Sequence, residues 1–135
     1  MLLQQLFKFL TRHRPGKVIA LHIIAAGFPQ PFQLFSGFHA FRDDAALREV
    51  NIRPDLGRLA GVADCAFVGT GVTSISLPDS VASVDYEAFA KMPALTSFHV
   101  GAALSDLGDY VLEEDERLAT ISVSPSNPAF SVSDG

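Results

Sequence analysis

Cysteine is nearly missing from this chain: Cys65 stands alone among 135 residues. A lone cysteine excludes a disulfide within the chain. As a nucleophile it would want a histidine and an asparagine or aspartate beside it. No such pattern surrounds it, so Cys65 reads as a small buried hydrophobe. Tryptophan is absent, and methionine and tyrosine occur only twice each. Basic residues are also few, 10 Lys and Arg against 15 Asp and Glu, for a formal charge of −5. That balance speaks against a nucleic-acid partner. The densest basic stretch, Lys8 to Lys17 with Arg12 and Arg14, reads as a solvated helix end. Long apolar runs are lacking too. No stretch reaches the ~18 residues that a transmembrane helix requires. Val18 to Phe28 follows a positively charged N-terminus, as the core of a secretory signal would. The charged part is long, however, and no clean small-residue cleavage site follows Phe28. Its first part, Val18 to Ile23, reads instead as a strand. Charged residues make up 19% of the chain and hydrophobic ones 48%, which describes one folded domain with a sizeable core.

What the chain does have is a repeat. Val72-Thr73-Ser74-Ile75-Ser76-Leu77 has a counterpart in Leu95-Thr96-Ser97-Phe98-His99-Val100, and another in Leu118-Ala119-Thr120-Ile121-Ser122-Val123. The copies start at 72, 95 and 118, a spacing of 23 both times. A fixed period of this size marks a solenoid of stacked units. In the copy at Val72, Ile75 and Leu77 alternate with Ser74 and Ser76, the periodicity of a strand. Pro78-Asp79 ends that strand. Val81 and Val84 belong to a segment that crosses to the other side of the coil, and Tyr86 to Ala90 reads as about one helical turn with Phe89 plugging the interior. Met92-Pro93-Ala94 returns the chain to the next strand. The copy at Leu95 keeps this plan, with Gly101-Ala102 in place of Pro78-Asp79 and Val111-Leu112 in place of Ala88-Phe89. Its last turn, Glu113 to Arg117, reads as a solvated charged turn rather than a metal loop.

Upstream the match loosens. Leu47, Val50 and Ile52 form a strand, Pro54-Asp55 the stop, Leu56 and Leu59 the crossing and Ala66-Phe67 the helical turn. This unit has 25 residues, with the extra ones expected near Ala60 to Asp64. Ala40-Phe41 stands before Leu47 as Ala88-Phe89 stands before Leu95, so it closes an earlier unit whose strand is Val18, Leu21 and Ile23. Phe28-Pro29-Gln30-Pro31-Phe32 is expected to be a loop insertion. The units therefore run over residues 18–46, 47–71, 72–94 and 95–117, with a partial one over 118–135. Residues 1–17 fall outside the repeat. Leu3, Leu6, Phe7 and Leu10 share a helical face and Pro15-Gly16 stops it, as expected of an N-terminal capping helix for an open solenoid end.

Laid out in this way, the chain resembles the BspA-type leucine-rich repeats. Their pattern is a strand L-x-x-I-x-I, then P-x-S-V-x-x-I, then an Ala-Phe turn. Val72 to Val84 followed by Ala88-Phe89 matches it nearly throughout, and Ile121 to Gly135 resembles another segment of the family. The family often has a cysteine shortly after Ala-Phe, where this chain has Met92 and Asp115. The resemblance implies an α/β solenoid: a right-handed leucine-rich repeat array with short parallel strands and short helical turns on the other side. It also implies a surface or secreted protein active in adhesion or host binding. The family pattern would begin another strand after Asp134-Gly135, so a fragment of a longer protein is expected.

Parallel stacking about 4.8 Å apart aligns equivalent residues. One expected outward row is Glu49, Ser74, Ser97 and Thr120, and the next is Asn51, Ser76, His99 and Ser122. These eight form the candidate face for a protein or glycan ligand, with His99 and Glu49 the distinctive groups. Alanine at His99 or Glu49 is expected to leave the fold intact. No catalytic set is recognisable. His13, His22, His39 and His99 lack metal-ligand spacing, and Gly69-Thr70-Gly71 lacks the helix and lysine of a phosphate loop. No enzyme activity, metal or cofactor is expected. The expected role is a non-catalytic interaction or adhesion module, with a structural spacer as the alternative. The last strand adjoins an uncapped end, so self-association there is expected.

Overall fold

The computed structural model describes residues 19–23, 32–34, 41–52 and 59–133. They carry nine short strands: β1 (Ile19–Ile23), β2 (Phe32–Leu34), β3 (Leu47–Ile52), β4 (Leu59–Val62), β5 (Ser74–Ser76), β6 (Ser83–Val84), β7 (Ser97–Val100), β8 (Asp106–Leu107) and β9 (Thr120–Val123). Every pairing is parallel. Odd strands pair with odd ones and even with even: β1-β3, β5-β7-β9 and β2-β4-β6-β8. Each of the four coils before Leu118 thus gives one strand to each of two walls, and the coil from Leu118 gives β9 to the first. On the first wall Ile75 pairs with Phe98 and Phe98 with Ile121, the register that the 23-residue period requires. β3 and β5 are neighbours on that wall without a hydrogen-bonded ladder between them.

The second wall is a sheet where a plain crossing was expected. Gly61 pairs with Ser83 and Ser83 with Asp106, while Val62, Val84 and Leu107 form the next row. The register also corrects the position of the extra residues in the 47–71 unit. Val62 and Val84 are 22 apart, as are the stacked Phe67 and Phe89. The extra residues therefore precede Gly61, and Gly61 to Asp64 hold none of them. After Phe67 the return to the first wall is one residue shorter than after Phe89. The shorter path presses Gly71 so close that a Cβ there would lie 2.6 Å from the Ala45 carbonyl oxygen and 3.2 Å from that of Leu47. Only glycine tolerates this approach.

The Ala-Phe segments are hydrogen-bonded turns, and no helix occurs among the described residues. The expected helical turn at Tyr86 to Ala90 is thereby corrected. Glu87 and Lys91 take left-handed φ values of 49° and 55°, which no α-helix accommodates. The equivalent positions repeat this, with 53° at Cys65, 73° at Gly69, and 59° at both Tyr110 and Glu114. The reversal turns alternate N–H groups out of their own coil. Phe67 N–H donates to the Ala88 carbonyl at 2.9 Å and Phe89 N–H to that of Val111 at 3.1 Å. A left-handed non-glycine residue costs on the order of 1 kcal/mol, which these inter-coil bonds offset by satisfying buried backbone.

The core lies between the two walls and the turns. Val72, Val81, Ala88, Phe89 and Leu95 are fully buried, and Ile75 and Phe98 are 2% exposed. Phe41, Phe67 and Phe89 form a column of stacked rings, with centroids 5.5 and 5.3 Å apart. Each ring closes the interior of its own coil and packs on the next. Complete burial of such a side chain contributes about 1.5–3 kcal/mol. Phe41 heads the column in the place that Phe67 and Phe89 take in their own coils. β1 confirms a strand over most of Val18 to Ile23, and Phe32 begins β2. The capping helix expected over residues 1–17, the remainder of the Phe28 to Phe32 loop, and the Pro54-Asp55 stop lie outside the described residues.

Candidate recognition face

Strands β5 and β7 of the first wall bury one side and present the other. In β5 only Ile75 points inward, which leaves Ser74 and Ser76 exposed. In β7 Phe98 and Val100 point inward, and Ser97 and His99 are half-buried. Thr120 and Ser122 of β9 are exposed. The ladder sets Ser74 beside Ser97 and Ser97 beside Thr120, and it sets Ser76 beside His99 and His99 beside Ser122. Six of the eight expected residues therefore form two adjoining rows. The other two are set apart. Glu49 is exposed on β3 but pairs with Ala20, and Asn51 pairs with His22. No ladder carries either row from β3 into β5.

Within the rows, His99 Nδ1 and Ser122 Oγ are 2.8 Å apart and share a hydrogen bond across β7 and β9. At the edge of the face, Thr96 Oγ1 donates to the Thr73 carbonyl at 3.0 Å. This arrangement offers hydroxyl donors and acceptors, one imidazole held in place, and little charge. Among the described residues no group of three His, Cys, Asp or Glu side chains is placed to hold a metal. Cys65 is buried and free. Burial and the nearby Glu87 carboxylate push its thiol above the ordinary range, which disfavours the reactive thiolate.

Two features of the turn side escaped the sequence reading. Tyr86 and Tyr110 are 44% and 58% exposed, and their rings meet edge to face with centroids 5.8 Å apart. A hydrogen bond with Glu87 holds the Tyr86 hydroxyl proton and pushes its pKa up to about 12. Their separation of 24 in sequence, one off the period, was the available signal. The second feature is Asp115, which does not belong to a wholly solvated turn. Its Oδ1 accepts a 2.8 Å hydrogen bond from Met92 N–H, while Oδ2 is buried without a partner. Burial raises its pKa from 3.8 to about 6, against the lowering effect of the Met92 bond.

The coils and parallel walls define a solenoid repeat protein. The profile of the BspA-type leucine-rich repeat region, in six copies, matches residues 37–132. The chain belongs to that family. A solved structure of a leucine-rich cell surface protein from Faecalibacterium prausnitzii A2-165 is similar at 19% identity and a TM-score of 0.40. The match covers 70% of this chain and 37% of that one. None of the curated proteins matches the chain. Among the described residues no helix is long and apolar enough to cross a membrane.

Proposed function

We propose that this chain is a non-catalytic recognition module whose first wall reads a protein or glycan ligand at or outside the cell surface. The observation that carries this is the pair of registered polar rows, Ser74–Ser97–Thr120 and Ser76–His99–Ser122. A row of hydroxyls at strand spacing, with one histidine fixed by a neighbouring serine, supplies directional donors and acceptors to a partner lying along the wall. Membership in the repeat family supports an interaction role, and the surface location is what the family resemblance implies. Adhesion is the physiological form that this binding would take.

The test is binding of the purified chain to arrayed glycans and extracellular matrix proteins, repeated with His99→Ala and with Ser76→Ala/Ser122→Ala. Saturable binding that weakens about tenfold or more in the variants, with unchanged melting, is expected; such a loss corresponds to about 1.4 kcal/mol. No saturable binding to any arrayed ligand would instead indicate a spacer that holds other domains apart. Glu49→Ala should weaken binding less than His99→Ala, because β3 is not joined to β5 by a ladder.

A further inference from the structure

The turns that follow β6 and β8 carry Tyr86 and Tyr110, the two tyrosines of the chain. Tyr86 lies in a coil with a neighbour on each side. Its carbonyl accepts from Cys65 N–H, and the next residue, Glu87, donates to the Asp109 carbonyl. Tyr86 is nevertheless 44% exposed, and Tyr110 is 58% exposed. The stacking that buries Phe67 and Phe89 completely leaves this aromatic pair open to solvent.

The two rings meet at 82° with centroids 5.8 Å apart. Two aromatic faces set at nearly a right angle form a corner. A cation seated there can lie within about 6 Å of both centroids, the range over which a ring face attracts positive charge. Carboxylates reinforce this attraction. The Tyr86 hydroxyl donates to the Glu87 carboxylate, and the Glu113 carboxylate acts on the same hydroxyl. Asp85 and Asp109 each precede a tyrosine in the chain. Between Arg58 and Arg117, Lys91 is the only lysine or arginine.

We propose that this corner binds a lysine or arginine side chain from a basic segment of a partner protein. The ring faces take the cationic head, and Glu87 and Glu113 balance its charge. A phosphate or an acidic sugar is repelled by the same carboxylates. The corner is thus distinct in chemistry from the first wall, whose rows offer hydroxyls and little charge.

The chain has no tryptophan, so its intrinsic fluorescence comes from Tyr86 and Tyr110. The test is titration of the purified chain with a capped peptide of alternating glycine and arginine. A saturable change in tyrosine fluorescence is expected, and added salt should weaken the binding. Tyr110→Leu should weaken it about tenfold, and Tyr110→Phe, which keeps the ring face, about twofold or less. Tyr110→Leu changes an exposed side chain and keeps the formal charge of −5, so the fold and any diffuse attraction of the peptide are preserved. Tyr86→Leu should repeat the loss from the other side of the corner. The remaining tyrosine reports binding in each variant. No saturable change with this peptide or its lysine counterpart would overturn the proposal. So would an equal response to the same peptide with glutamine in place of arginine, or binding that survives both leucine variants. Fluorescence that shifts with protein concentration alone would also overturn it, because a second copy of the chain would then fill the corner.

Discussion

The coil that begins at Val72 and the last one, beginning at Leu118, carry similar residues in different surroundings. Ile75 is 2% exposed and Ile121, two strands along the same row, is 47% exposed. At the crossing, Val81 and Leu104 are buried, at 0% and 1% exposure. The last coil has Asn127 at this position. Its amide donates to the carbonyls of Gly101 and Leu104 at 2.8 and 3.0 Å, and its Oδ1 accepts from Ala129 and Phe130 N–H groups at 2.8 Å each. In the coils from Val72 and Leu95 the position holds a buried apolar side chain. In the coil from Leu118 a polar side chain bonds backbone groups of its own turn and of the coil before it. In a solenoid, burial depends on having a neighbour more than on the residue itself.

The largest effect that sharpens this comparison lies in the ring column. Phe89→Ala should destabilise by about 3–5 kcal/mol, measured by denaturant unfolding. Leu112→Ala, at the equivalent half-buried position next to the open end, should cost about 1 kcal/mol. Asn127→Ala comes next. It removes a side chain that satisfies four backbone groups and should cost about 1–2 kcal/mol. Loss of the last coil should appear first, as faster amide exchange near Ser124 to Phe130.

A smaller effect concerns pH. Asp115 has a folded pKa of about 6 against an ordinary 3.8, with burial as the leading cause. The folded state therefore holds the proton more tightly than the unfolded chain. The stabilising contribution of this group is fully present below about pH 4 and is lost as pH rises through about 6. Asp115→Asn keeps an oxygen for the Met92 amide and cannot ionise. Its stability should vary less than that of the parent between pH 4 and 6, in urea unfolding at a series of pH values. An unchanged slope would place the titration elsewhere.

The first wall was legible in the sequence because three strands repeat at a constant interval and alternate apolar with polar residues. The 23-residue spacing alone places Ile75, Phe98 and Ile121 in one row, and His99 beside Ser122. The second wall was not legible. Its pairings β4-β6 and β6-β8 span only two residues each, too few for alternation to show. The turn was misread because Glu87, Ala88 and Ala90 are good helix formers, yet bonds to the neighbouring coil outweigh that local preference. Asp115 was hidden inside Glu113 to Arg117, where charge suggested solvent and the return of the chain supplied burial. Glu49 and Asn51 were placed by counting across a longer unit, and counting does not reveal that the ladder between β3 and β5 is interrupted.

The comparison between inner and last coils is tested most directly by one pair of unfolding measurements, Ile75→Ala and Ile121→Ala. These are the same substitution in the same row. Neighbours on both sides of Ile75 predict a loss of about 2–5 kcal/mol, and the open side of Ile121 predicts about 1 kcal/mol or less. Equal losses at the two positions in the monomeric protein would contradict the account.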